Sequence, residues 1–369
     1  MIEVKNKMIR NFIKHIILTI SIIITLCFCL GLSAQWISPS SIALPTYFVM
    51  LMPLWTILMF INTIFWLCFK KWVYSLILIA IIACTFEQWR NVIVINKPTK
   101  YDNKTITILT FNTHIFNNHQ DKDFDKIAQF IKATDADIVC LQEFGYFHRY
   151  GTSKQDILKF FDSIYPHRHI WFKNQNKWGE NGLATFSRFP IIKKKKIEYP
   201  SADNISIFSD IIIDNDTIRV INNHLESNKF NKEDRLFAEK LIDDSNNKRD
   251  LLDAGRKIGS RLITGAINRS QQAEAVRYCI DETNYPTIAL GDFNDVPLSY
   301  TYHKIGENLQ NALSKAGPWG YNWTYNQNIM LVPIDHILVD KKFNISKCTI
   351  HKEMKISDHY PISCKLQIR

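Results

Sequence analysis

The 369-residue sequence predicts an α/β layered sandwich preceded by transmembrane helices. Three observations predict it. The first hundred residues hold three long runs without a charge. From about residue 101, short β-rich runs alternate with helical stretches. Eight amide, carboxylate or imidazole residues each follow or close one of the apolar runs: Asn112, Glu143, His224, Asp292, Asn294, Asp335, Asp358 and His359.

The N-terminal region is read as residues 1–100 with about three spans. Ile16 to Ala34 is uncharged for 19 residues, about what a roughly 30 Å hydrocarbon core needs. Ile42 to Phe69 is uncharged for 28 residues with Pro45 and Pro53 near its start, which places a helix over about 47–69. Trp72 to Phe86 is shorter and reaches about residue 90 only if Glu87 and Arg90 lie at the interface beside Trp89. Four basic residues precede the first span, none lie in the loop Gln35–Ser41, and Lys70-Lys71 fill the next turn. Basic residues mark cytoplasmic flanks. The expectation is a multi-pass protein of the cytoplasmic membrane, with its N-terminus in the cytoplasm and residues 101–369 outside. A cleaved signal peptide is the alternative for the first span. If the third run does not cross, the large domain is cytoplasmic.

Charge divides the same way. Of a net +10, residues 1–100 contribute nine basic against two acidic side chains, and the remainder 36 against 33. A domain so near neutrality argues against a nucleic-acid partner, since duplex binding uses several Lys/Arg contacts to phosphate. The exception, Lys193–Lys196, reads as a solvated strand edge. Eight cysteines show no metal spacing, so no zinc site is expected, and no disulfide is assigned.

Along the domain, "TITILTFNTH" alternates and then runs apolar, "DKDFDKIAQFIKATDA" has the spacing of an amphipathic helix, and "DIVCLQEF" is a buried strand. "GLATFSRFPI", "ISIFSDIII", "TIRVINNHLES", "TIALGDFND", "PIDHILVD" and "SDHYPISCKLQI" follow as strands. Leu252 to Ile280 reads as one long helix on the sheet. No repeat or low-complexity segment interrupts this order.

A carboxylate at the end of a buried strand is costly unless paired or metal-bound. Strand ends along one edge meet in space, so Glu143, Asn112, Asp358 and His359 are expected opposite Asp292 and Asn294. Carboxylates without cysteine favour a hard cation, Mg²⁺ or Mn²⁺, with Glu143 as the leading ligand. His359 beside Asp358, with Asp335 within reach, suits acid–base work or a charged contact to a phosphoryl oxygen. His224 is a second phosphate donor, and Asn112 and Asn294 would orient water or a non-bridging oxygen. The sum is hydrolysis of a phosphate ester. Singly, each residue has a plainer role as turn former or cap. Asp295 before Val-Pro reads as a turn residue, and His114, His148, His167 and His169 as structural.

From about Thr105 to Arg369 the chain resembles the endonuclease/exonuclease/phosphatase (DNase I-like) superfamily. The resemblance rests on "TFNTH", "DIVCLQE", "GLATFSRFPI", "INNHLES", "ALGDFND", "PIDHILV" and "SDHYPI", in that order. It implies a four-layer α/β/β/α sandwich. It also implies Glu143 as metal ligand with Asn112 assisting, Asp358 as a metal-site residue, and Asp292 and Asn294 positioning and activating the attacking water. His359 resembles the catalytic histidine, Asp335 its orienting partner and His224 a phosphate-binding histidine. In-line attack on phosphorus follows, with charge stabilised by Mg²⁺ and the two histidines.

Two features depart from compact nucleases: the membrane spans, and about 68 residues between His224 and Asp292 that would form a lid or substrate wall. The expected substrate is a phosphate ester: a lipid head group, nucleotide or nucleic acid. No feature calls for an obligate protein partner. The alternatives are an extracytoplasmic metal-dependent nuclease and a catalytically inactive binding protein. The presence of Glu143, Asp292, Asn294 and His359 together disfavours the last.

Overall fold

The computed structural model describes residues 2–95, 99, 105–116, 123–147, 153–176, 179–201, 204–229, 248–327 and 330–369. Five helices open the chain: α1 (Ile2–Ser33), α2 (Leu44–Met50), α3 (Met52–Cys68), α4 (Trp72–Ala83) and α5 (Phe86–Arg90). Then come β1 (Ile93–Val94), β2 (Ile106–Asn112), α6 (Asp123–Thr134), β3 (Ile138–Phe147), α7 (Lys154–Asp162), β4 (His167–Asn176), β5 (Gly179–Ser187), β6 (Ile191–Ile197), β7 (Ile205–Ile213) and β8 (Asp216–His224). The remainder is α8 (Lys248–Asp281), β9 (Thr287–Asp292), α9 (Tyr300–Gly306), β10 (Leu309–Asn311), α10 (Ala312–Ala316), β11 (Gly320–Tyr321), β12 (Tyr325–Gln327), β13 (Met330–Val332), β14 (Asp335–Asp340), β15 (Phe343–Ile350) and β16 (Ile362–Ile368).

Two six-stranded sheets form the domain, ordered β15-β16-β2-β3-β5-β4 and β10-β14-β9-β8-β7-β6. Each is antiparallel except for one parallel pair, β2/β3 in the first and β8/β9 in the second. Three apolar cores set the layering. Ile108, Ile138 and Cys140 of the first sheet pack against Val220, Leu290 and Ile337 of the second. The outer face of the first sheet buries Leu109, Val139 and Leu141 under Ile127, Ile131, Ile157 and Phe161 of α6 and α7. The outer face of the second buries Ile221 and Ala289 under Ala273, Val276 and Ile305 of α8 and α9. The result is the expected α/β/β/α sandwich. Strands buried on both faces are why the sequence reads as near-continuous apolar runs.

Both parallel pairs end at the same edge. Asn112 sits opposite Gln142, and His224 opposite Asp292. The neighbouring antiparallel strand β14 starts there, with Asp335 opposite Asp292. Gly291 has a φ of 120°, and a Cβ there would lie 2.2 Å from the Asn223 carbonyl oxygen, so only glycine lets β9 approach β8 this closely. Lys193–Lys196 lie mostly exposed on β6, the sheet's edge strand, where lysine blunts edge-to-edge pairing.

Met8–Ser33 is long and apolar enough to cross a membrane; Leu44–Met50 and Met52–Cys68 qualify together but bend by 74°. The third predicted span, 72–90, breaks at Cys84-Thr85 into α4 and α5. The 12 residues of α4 rise only about 18 Å. Large apolar side chains face outward from these helices, including Ile20, Ile23, Ile57, Ile61, Ile64 and Ile77. Polar ones face inward: Ser21 donates to Asn62 Oδ1 at 2.7 Å and accepts from Trp66 Nε1 at 2.9 Å.

The helices are joined to the sandwich rather than hung from it. Val296 and Leu298, just beyond β9, pack in the helix core with Phe28, Ala34, Val49 and Met52. Ser40 and Ser270 share a hydrogen bond of 2.8 Å, and β1 pairs with β11.

A disulfide links Cys348 and Cys364, which face each other across β15 and β16. The chain-entropy effect of closing a loop of sequence separation 16 is about 3 kcal/mol. Reduction, or Cys364→Ser, is expected to lower the denaturation midpoint accordingly; an unchanged midpoint would show that this link contributes nothing to stability.

Candidate active site

All eight predicted residues lie at that shared edge, seven through their side chains and Asn294 through its backbone. Asn112 Nδ2 donates to Glu143 Oε1 at 3.3 Å and to Asp292 Oδ2 at 3.0 Å, so one amide joins carboxylates from both sheets. His224 Nε2 lies 3.8 Å from both of those carboxylates. His359 Nε2 stands 3.7 Å from Asp292, and its Nδ1 bonds Asp335 at 2.9 Å. Asn294 caps Asp292 through its backbone N–H, while its side-chain amide donates to the Leu225 carbonyl. Asp358 accepts from His114 Nδ1 at 3.1 Å.

The backbone is bent to make this arrangement. A register shift in β3 between Leu141 and Phe144 puts Gln142 and Glu143 opposite a single residue of β5, a bulge that re-aims a side chain. Glu143 takes a φ of 48° there, and Asn294 one of 51°. Three successive residues, His114, Ile115 and Phe116, are also left-handed, at 47°, 57° and 55°. Such backbone costs about 1–2 kcal/mol per non-glycine residue, and strain of this kind gathers at functional sites.

Beneath the cluster, polar groups stitch the sheets together. Gln142 Nε2 donates to Asn222 Oδ1 at 2.6 Å, and Asn222 Nδ2 to the Leu141 and Ala184 carbonyls. Gln142 and Asn222 are fully buried and well satisfied, which fixes one sheet on the other under the site.

Burial pushes the Asp292 carboxyl up to about 6, against the opposing pull of His359. Burial also opposes charge on His359, but the carboxylates of Asp335 and Asp292 outweigh it and raise the imidazole well above its usual value. Asp358, although buried, is held below the usual carboxylate range by His114 and His359. The hydrogen bond to Asp358 raises His114 in turn.

Four carboxylates with amide oxygens and no thiol are the donor set of a hard divalent cation. Asp292, Asp335 and His359 can bring ligand atoms within 4.8 Å of one another, but Asp335 and His359 already bond each other. Glu143, with 26% of its side chain exposed against 1% for Asp292, offers the more open oxygens. Asn112 turns its amide oxygen to the His114 N–H, so in this orientation it holds Glu143 and Asp292 through its nitrogen.

Other readings resolve as well. His169 is buried against Ser209, and burial lowers it to about 4. His148 lies outside the described residues. Asp295 does shape the turn, accepting from the Val296 N–H, but it is also buried in an ion pair with Arg269 at 3.0 Å. His114, read from the sequence as structural, follows a strand end and bonds Asp358 beside the cluster. The sequence reading missed Tyr325, whose ring stands edge-on to His359 at 5.0 Å, in a short segment with no periodic signal.

Comparison with known proteins bears on this geometry. The model of the Endonuclease/Exonuclease/phosphatase family matches residues 109–359, and that of a domain of unknown function (DUF8431) matches residues 14–92. No curated protein matches the chain. Among solved structures, an endonuclease/exonuclease/phosphatase from Beutenbergia cavernae is similar at 15% identity and a TM-score of 0.52, over 72% of each chain. Sphingomyelinase C from Streptomyces griseocarneus is 15% identical over 71% of this chain and 99% of its own, with a TM-score of 0.49. A mannosyl-6-phosphatase from Bacteroides thetaiotaomicron is 18% identical over 71% and 100%, with a TM-score of 0.47. At such identities the likeness concerns fold, and the Beutenbergia cavernae structure carries it.

Proposed function

The chain belongs to the Endonuclease/Exonuclease/phosphatase family and is a phosphoric ester hydrolase, and we propose that it is a membrane-anchored, Mg²⁺-dependent phosphoesterase. The observation that carries this reading is the Asn112 amide bridging Glu143 and Asp292, residues 31 and 180 positions away, into one carboxylate–imidazole cluster. Glu143 and Asp358, with Asn112 supporting, would hold the cation. When bound, it supplies a Lewis acid for the phosphoryl oxygens. Asp292, raised by burial and oriented by the Asn294 N–H, accepts a proton from the attacking water. His359, held by Asp335, and His224 face the phosphoryl group as hydrogen-bond donors.

Three observations support anchoring in the cytoplasmic membrane with the domain outside. The helices turn apolar side chains outward and the Ser21–Asn62–Trp66 network inward, the reverse of a soluble bundle. The basic N-terminus and Lys70-Lys71 flank the apolar helices as cytoplasmic segments do. The Cys348–Cys364 disulfide suits an oxidising compartment. Residues 1–100 and 101–369 then form an anchor and a catalytic domain.

The test uses the full-length protein in lipid nanodiscs. Turnover of bis-p-nitrophenyl phosphate, p-nitrophenyl phosphate, plasmid DNA and phospholipid is measured with Mg²⁺ and with EDTA. Mg²⁺-dependent turnover of a phosphate ester, abolished by EDTA, is expected. Turnover that survives EDTA, or none with any substrate, would overturn the proposal, and preference for plasmid would favour a nuclease.

A further inference from the structure

We propose that His114 is a substrate-contacting residue on the leaving-group side of the phosphate, donating a hydrogen bond to the departing oxygen. The inference rests on the phosphoesterase reading and deepens it.

Position argues first. Asp292, Asp335 and His359 are nearly inaccessible and form the floor of the site. His114 is 46% exposed at its side chain and Asp358 15%, so this pair lies at the mouth. The alcohol portion of an ester is larger than water and fits only at the open end. In-line displacement then places water over the floor and the leaving oxygen beside His114.

The backbone argues second. Leaving β2, the chain could continue extended, yet it folds into three successive left-handed residues. The surroundings force this turn. Thr113 Oγ1 is held by the Gln142 and Glu143 carbonyls, and the His114 N–H by Asn112 Oδ1. The Phe116 ring is wedged edge-on between Phe124 and Phe144, with centroids at 5.3 and 5.7 Å. An outlier so firmly determined is a reason to look for function at its first residue.

Side-chain chemistry argues third. Among the described residues the site holds two hydrogen-bonded Asp–His pairs. The buried pair, Asp335–His359, approaches Asp292; the exposed pair, Asp358–His114, does not. With Nδ1 committed to Asp358, the ring offers Nε2, which has no partner among the described residues. In the reaction the water oxygen bonds to phosphorus and the bond from phosphorus to the alcohol oxygen breaks, leaving its electron pair on that oxygen. The water's proton passes to Asp292. The departing oxygen is stabilised by His114 and takes its proton from solvent at the mouth.

The test compares His114→Ala with the parent protein, full-length in nanodiscs, on two phosphate esters of the class the parent hydrolyses, monoester or diester, that differ in the leaving alcohol. An alkyl alkoxide needs a donor far more than a p-nitrophenolate does. kcat/KM is expected to fall about 10- to 100-fold for the alkyl ester and less than about threefold for the p-nitrophenyl ester. His114→Gln, which keeps an N–H donor, should recover part of the alkyl activity; Mn²⁺ affinity is measured by calorimetry and the assays run at saturating Mn²⁺, because losing the bond to Asp358 also loosens a proposed cation ligand. Equal losses on both esters with weakened Mn²⁺ binding would show that His114 only orients Asp358, and overturn the proposal. No loss on either ester would overturn it equally. A parent protein inert towards both classes of ester would instead remove the phosphoesterase reading beneath it.

Discussion

His359→Ala is expected to reduce kcat/KM by about 10²- to 10³-fold on any phosphate ester the protein hydrolyses, the range for losing a preorganised donor to developing charge. The imidazole is fixed on three sides. Asp335 holds Nδ1, Asp292 faces Nε2 at 3.7 Å, and the Tyr325 ring closes the flank while its backbone bridges that of His359. Water cannot replace a group held this tightly without first entering a buried floor. Asp335→Asn should produce a smaller but clear loss, because the ring keeps its place and loses the charge that favours the imidazolium. Steady-state kinetics on full-length protein decide this, with circular dichroism confirming the fold. A loss below about tenfold would assign the donor role at the phosphoryl group to another residue.

Arg269→Met should have the largest effect on stability. Arg269 is completely buried and pairs through Nε with Asp295, itself 4% exposed. Its Nη1 serves the Glu226 carbonyl and Asn228 Oδ1. Removing one partner strands a buried charge, which costs about 3–5 kcal/mol. Denaturant unfolding of the single variant should show that loss. Arg269→Met combined with Asp295→Leu should recover much of it, because both charges go together. A single variant as stable as the parent would mean that Asp295 finds another partner or takes up a proton. Since Asp295 adjoins Asn294, activity should fall along with stability.

Much of this was legible in the sequence for a physical reason. Strands buried on both faces leave nearly unbroken apolar runs, and a costly polar residue at the end of each marks the edge where the ends converge. Asn112, Glu143, His224, Asp292, Asp335 and His359 were therefore readable together. Elements whose burial follows no simple period were not. β4 reads "HRHIWFKNQN", polar along most of its length, and β12 and β13 are three residues each. Tyr325 lies in β12 and was missed with it. Gln142 and Asn222 were hidden because a buried amide looks like any polar residue until its partner in the other sheet is known. The pairing of Cys348 with Cys364 needed the β15–β16 register, which cysteine spacing does not supply. His114 was passed over because its signal is the backbone turn, and no glycine or asparagine advertises that turn.

The seating of Val296 and Leu298 among the helices has a consequence for where chemistry can happen. Asp292 and Leu298 are six residues apart, so even a fully extended chain separates them by no more than about 20 Å. Under the membrane-anchored reading proposed above, the scissile bond would come to a fixed altitude above the lipid. The protein would then act as a height gauge, sorting esters by how far they stand off the surface before any pocket tests their shape.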